Sequence, residues 1–315
     1  MIRVKQFSSS YKQNIKEQWR YTWDMIKQNK VLYVMMAPFL TLFVIFTVYP
    51  VLQAVFFSFT DFNVLESPSW VGLDNYKALF LDDKIFIKAI QNTFIIAICI
   101  GPLGYILSFL LAWMINELPH VLATVLTVIF YAPSMAGNVA YIFKLIFAND
   151  SYGYLNGILL KYGMLDKAIL WLSDEKTMMM VVILVSLWMS LGVGFLSFVA
   201  GIKGVDKAQY ESAAIDGIRN RWQELWFITL PNMKPQLLFG SVMSITASLS
   251  VGAIADGLVG FPSPNYATHT IANHLNDYGL IRMEMGRASG IAVILFLVMI
   301  ICNVIVQKLL RKVGT

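Results

Sequence analysis

The chain has 315 residues, of which 57% are hydrophobic and only 14% charged, with a formal net charge of +5 and a mean hydropathy of +0.64. Soluble domains are about 45–50% apolar and about 25% charged, so these proportions exclude an ordinary water-soluble fold and make the bilayer the expected solvent. The basic residues are dispersed at the edges of apolar runs and form no basic domain, which excludes a nucleic-acid binder.

Met1–Lys30 carries seven basic and two acidic residues and precedes an apolar run with no small-residue cleavage site, so it reads as a retained cytoplasmic tail. The remainder, 31–315, reads as one membrane domain. Crossing the hydrocarbon takes about 20 apolar residues as a helix, because every backbone polar group must be satisfied within the segment. Six stretches meet that demand: 31–59, 92–115, 122–147, 177–201, 236–258 and 287–306. An all-α, polytopic protein with six transmembrane helices is expected. Gly101 with Pro102, Gly192 with Gly194, and Gly286 with Gly290 are read as kinks or close helix approaches. Cys99 and Cys302 lie inside apolar runs, and no disulfide is expected.

Orientation follows from Lys and Arg in the short flanking segments. With the N-terminus inside, the inner segments hold 15, including Arg311 and Lys312, and the outer segments 8. Both termini are therefore expected in the cytoplasm of a multi-pass cell-membrane protein.

The longest inner segment, 202–235, is the most patterned. Asp206 is placed to cap a helix over 207–215, with Gln209 three residues on in a capping-box arrangement, and Gly217 is a natural stop. Ala208, Ser212 and Ile215 fall near one face, while Ala213, Ala214 and Gly217 keep the helix slim enough to enter a groove. A second amphipathic turn, 220–228, offers Trp222, Leu225 and Trp226 as an apolar side for the membrane interface. Pro231 is expected to open the fifth span.

This segment resembles the permease subunits of binding-protein-dependent ABC importers, whose pattern is Glu-Ala-Ala, then Gly, then Ile-x-Leu-Pro. Glu211, Ser212 and Ala213 match with one Ser for Ala, followed by Ala214. Asp216 and Gly217 fit the Asp-Gly of sugar permeases, and Ile228, Leu230 and Pro231 complete the pattern. Ten residues separate Gly217 from Ile228 where the pattern implies one fewer, so an extra residue is expected in the turn after the glycine. The resemblance extends from Val34 onward and is nearest the maltose-type first permease: Val71 to Tyr76 before Asn92-Thr93, and the 157–171 segment ending Trp171-Leu172, recur there. Such proteins often carry Gly-Gly-Pro beyond the fifth span, whereas this chain has Phe261, Pro262, Ser263 and Pro264 before Thr268 and Thr270.

The resemblance implies a MetI-like ABC importer permease fold and a transport subunit rather than an enzyme. It implies a second homologous permease, a separate ATPase dimer gripping the 206–231 loop, an extracytoplasmic solute-binding protein and a sugar, with an oligosaccharide expected, as cargo. Glu211 would pair with a basic residue of the ATPase. No GxxxxGK[ST] loop is present, so no cofactor is expected on this chain, and ATP with Mg belongs to the partner. His269 and His274, five apart, and the lone His120 suggest no metal set.

Polar residues in spans tend to face a cavity. Ser134, Asn138, Ser186, Trp188, Ser190, Ser241, Ser244 and Ser248 are the candidates, with Asn138 and Trp188 foremost because sugars take aromatic faces plus hydroxyl and amide partners. Against that stands hydroxyl bonding to the residue's own or a neighbouring helix. Lys144 and Asp256, near outer span ends, are expected to snorkel. Two other readings stay open: an importer permease for a peptide, phosphate or glycerol phosphate, and an ion-coupled secondary transporter, although the spans hold almost none of the carboxylates the latter needs.

Overall fold

The structure is a computed structural model and describes residues 19–137 and 139–310. Most of the N-terminal tail, Asn138, Arg311 and Lys312 therefore lie outside the described residues. The chain divides into two compact units, Met1–Phe56 and Phe57–Thr315. Among the described residues four helices are long and apolar enough to cross a membrane, and up to six if two bent pairs each count as one span.

The first span, α1 (Lys30–Phe57), passes through a π turn at Val44–Val48. No residue of its most apolar stretch is buried. In a bilayer that exposure costs nothing, because lipid tails are as apolar as the side chains.

In the second unit, α2 (Lys84–Asn116) is the central helix. Its N-cap Asp83 accepts from the backbone N–H of Ile85 and Phe86 at 2.9 Å each. The stretch expected as the third span is two helices, α3 (His120–Met135) and α4 (Val139–Ile146), bent by 97°. Pro133 lies inside α3, which runs on to Met135, and Ala136 is extended. After α5 (Tyr154–Lys161), the fourth span forms α6 (Glu175–Met189) and α7 (Val193–Lys203), with Gly192 in a non-helical conformation between them.

The segment that follows contains α8 (Lys207–Ile215) and then a helical run, α9, over 221–232 with a π turn at Leu225–Thr229. The fifth span is α10 (Lys234–Leu249) and α11 (Gly252–Val259), bent by 43°. Pro231 sits in the last turn of α9 rather than opening that span. Pro235 takes that place in the first turn of α10, where its missing N–H costs nothing. After α12 (Ile271–Asn276), the last span is α13 (Met285–Leu310).

Helices α2, α7 and α10 pack on one another, and α13 packs on α10. Phe198, fully buried in α7, lies against Gly240 of α10, where an added Cβ would fall 2.3 Å from its ring. That absent side chain permits the close approach expected of small residues between membrane helices.

Two asparagines stitch the connections whose sequence carried part of the family likeness. Asn75 donates to the carbonyls of Ser58 at 2.9 Å and Thr60 at 2.7 Å. Asn156, fully buried, donates to Ala148, Asp150 and Ile169 and accepts from the Ile169 N–H and, at 2.9 Å, from the Trp171 indole. A buried amide so completely paired holds a loop that has no sheet or helix ladder of its own.

Candidate functional site

The patterned segment is built by local chemistry first. Asp206 caps α8 by accepting from the Ala208 N–H at 3.0 Å. The expected capping box does not close, because Gln209 Oε1 instead accepts from Asn232 Nδ2 at 2.6 Å. At the other end Gly217 has φ +96°. There the Ile218 N–H reaches the Ala213 carbonyl at 3.0 Å and the Gly217 N–H reaches Ala214 at 3.4 Å. This is the paired-carbonyl stop that a left-handed residue permits.

The chain then restarts at Asn220, which accepts from the Gln223 N–H at 2.8 Å while Gln223 Oε1 accepts from the Arg219 N–H at 2.9 Å. The turn after the glycine is thus closed by ordinary caps. Further on, α9 carries a π turn at Leu225–Thr229.

Three contacts hold α8 on this run: the Gln209–Asn232 bond, Tyr210 to Thr229 Oγ1 at 2.9 Å, and Ala213, which is 7% exposed. Of the residues matched to the permease pattern, Ala213 and Ile228 face inward, and Leu230 and Pro231 are half-buried. Glu211, Ser212, Ala214, Asp216 and Gly217 face outward. Ile215 is 87% exposed. Glu211 makes no ion pair among the described residues. A groove of about 440 Å³ runs between Ala208, Ser212 and Asp216 on α8 and Phe227 and Ile228 on α9. The expected apolar side of α9 is divided: Leu225 is 4% exposed and joins the core with Phe109, Phe195 and Met233, while Trp226 is 60% exposed.

Within the spans, a hollow of about 300 Å³ lies where the fourth and fifth spans are interrupted. Ser190, Gly192 and Val193 line it from one break, Thr246, Ala247 and Ser250 from the other, and Tyr105 and Ser108 from α2. Of the residues singled out in the sequence, Ser190 and Ser244 reach this hollow. Ser134 lies beside Gly192 at its margin. Ser248 instead lines an apolar cavity of about 590 Å³ with Ser241 and Cys302, and Trp188 turns to Phe130, with ring centres 6.0 Å apart. Asn138 is outside the described residues.

The serine protons are mostly committed. Ser134, Ser190, Ser241 and Ser248 each donate to their own helix, and Ser244 donates to the Gly101 carbonyl at 2.8 Å. Their remaining lone pairs accept only. Ser186 Oγ is buried without a partner among the described residues. Tyr105, Ser108, Thr246 and Ser250 were missed because hydropathy does not mark a break; Gly192 and Gly252 were the available signal.

At the far end of the fifth span the 260–284 segment is a packed polar structure. Tyr278 donates to Asp83 Oδ2 at 2.9 Å, and His274 Nε2 lies 3.0 Å from the same oxygen. His274 Nδ1 faces His269 Nε2 at 3.2 Å. The carboxylate accepts only, so neutral His274 carries its proton on Nε2 and takes one on Nδ1 from His269.

Burial, helped by the facing His274, holds His269 down at about 4. Burial also lowers His274, against the opposing pull of Asp83. For Asp83, burial works upward but is outweighed by the Phe86 N–H, Tyr278 and His274, which leave it lowered. Asp256 Oδ1 accepts from Asn273 Nδ2 at 2.6 Å. Lys144 is exposed. No group of three or more His, Cys, Asp or Glu side chains converges on a metal position among the described residues.

The sequence pattern of the family described as binding-protein-dependent transport system inner membrane component matches residues 102–314. The chain is 31% identical over 286 residues to the probable ABC transporter permease protein YesP of Bacillus subtilis, covering 90% of this chain and 91% of that one. It is 30% identical over 283 residues to the arabinooligosaccharides transport system permease protein AraP of the same organism, covering 88% and 87%. Among solved structures it is similar to a chain of a bacterial alginate ABC transporter in complex with an alginate pentasaccharide-bound periplasmic protein. The TM-score there is 0.76 at 26% identity, over 93% of this chain and 98% of that one.

Proposed function

The chain belongs to the family of binding-protein-dependent transport system inner membrane components, and on that premise we propose that it forms half of the translocation pathway of an ATP-driven importer for carbohydrate, chiefly oligosaccharide. The observation that carries the coupling is α8: a helix capped at both ends, fastened to α9 by its inner face and presenting Glu211, Ser212, Ala214 and Asp216 outward. A separate ATPase dimer takes this face, with ATP and Mg on that partner. The small residues allow close insertion, and Glu211 is free to pair with a base of the ATPase.

A second, homologous permease subunit completes the pathway. Both termini and α8 lie in the cytoplasm, while the 260–284 segment faces outward toward a solute-binding protein; the excess of Lys and Arg on the inner segments supports this. The hollow at the two breaks is the place for a sugar along the path. Its hydroxyl lone pairs accept from sugar hydroxyls, and Tyr105 supplies an aromatic wall. The oligosaccharide named for the AraP relative and for the alginate structure supports this cargo over glycerol phosphate.

The test is co-purification of the complete complex carrying Gly217→Arg or Glu211→Lys. Both variants insert into the membrane, and both lose the ATPase and uptake. Retention of the ATPase with unchanged uptake by both contradicts the assignment.

A further inference from the structure

The α8–α9 segment is covalently continuous with the fourth and fifth spans only, through α7 and α10. The second span ends at Asn116 and is followed after three residues by α3, so neither the second nor the third span has a chain connection to the segment. Yet two adjacent side chains at the start of α9 grip the end of α2. Arg221 Nη2 lies 3.1 Å from Glu117 Oε2, and its Nη1 lies 2.7 Å from Glu224 Oε2. Beside it the Trp222 ring stands 5.1 Å from the Trp113 ring, tilted by 50°.

Trp113 and Glu117 are four residues apart, one turn of helix, so both project from the same side. The two contacts are therefore one clasp made of an ion pair and an indole pair. A lone ion pair on a surface contributes little. Here the guanidinium fork is held between two carboxylates, and the neighbouring ring contact fixes the orientation.

We propose that Arg221 and Trp222, closed on Glu117 and Trp113, are positioning residues that carry the movement of the cytoplasmic segment into the second and third spans. This rests on the reading that α8 docks on the ATPase. The π turn at 225–229, which α8 touches through Tyr210 and Thr229, lies directly after Arg221 and Trp222. A displacement of α8 therefore reaches the clasp within about two helical turns. The second span is the one against which both α7 and α10 pack, so moving its end with them keeps the three helices together while the hollow at the breaks changes shape.

The test uses the complete complex, with ATPase, partner permease and binding protein, in proteoliposomes. Sugar transported per ATP hydrolysed is measured for Glu117→Gln, Arg221→Gln and the double variant, with Trp222→Ala as an independent probe of the ring contact. Each single variant lowers the ratio about five-fold, and the double variant is no worse than either single one, as coupled partners require. The amount of assembled complex stays that of the parent. An unchanged ratio in the single variants, or losses that multiply in the double variant, overturns the clasp. Loss of the ATPase from the complex belongs instead to the docking reading, whose own failure is retained uptake with Glu211→Lys.

Discussion

His269 and His274, 3% and 1% exposed, show what a residue gains from surroundings that no local pattern announces. Spaced five apart in sequence, they suggested no metal set. In space the pair is closed by Asp83, 191 residues from His274. The folded state holds both imidazoles below their ordinary value of 6.5, His269 at about 4. The unfolded segment therefore binds more protons between those values, and stability rises with pH there. It is complete above about 6.5 and lost as pH falls toward about 4. The lowered Asp83 acts in the same sense below 3.8. Arg282 pushes both imidazoles down further, whereas Asp277 opposes it. Hydrogen exchange across 269–278 in the purified complex is expected to lose protection between pH 7 and pH 4.5, and constant protection contradicts this network.

Asp206 and Gly217, by contrast, were legible because their partners lie within five residues. Gln209 was not: its oxygen is claimed by Asn232, 23 residues away.

Among the elements, span existence was legible and span continuity was not. Apolar length reports a need to satisfy the backbone within a segment, and that demand is met equally by a straight helix or by two halves meeting at a break. The fifth span shows why its own residues mark the break only through a glycine. A Cβ on Gly252 would fall 3.1 Å from both Ala272 Cβ and Thr270 Oγ1 and 3.2 Å from the Asn273 N, so it is α12, packed from outside, that shapes the site. Gly252→Val is expected to lower the melting temperature of the purified complex, since forcing a side chain into a packed site costs about 1–3 kcal/mol. An unchanged melting temperature contradicts this packing. The π turn in α9 is similar in kind: nothing in the spacing of 220–232 marked it, and Leu225 and Ile228 within it are buried.

Over the whole molecule, the family likeness was legible in a segment whose pattern is local and whose inner face is fastened. The hollow depends on three helices meeting, which is why only Ser190 and Ser244 of the residues chosen by type reached it. On the function proposed above, this chain is a passive half-pore moved by another protein's hydrolysis of ATP. The most direct measurement is oligosaccharide uptake into proteoliposomes, comparing this chain alone, this chain with its permease partner, and the assembly completed by ATPase and loaded binding protein. Uptake is predicted only in the complete assembly and only with ATP inside the reach of the ATPase; solute entry driven by this chain in the absence of the ATPase would contradict it.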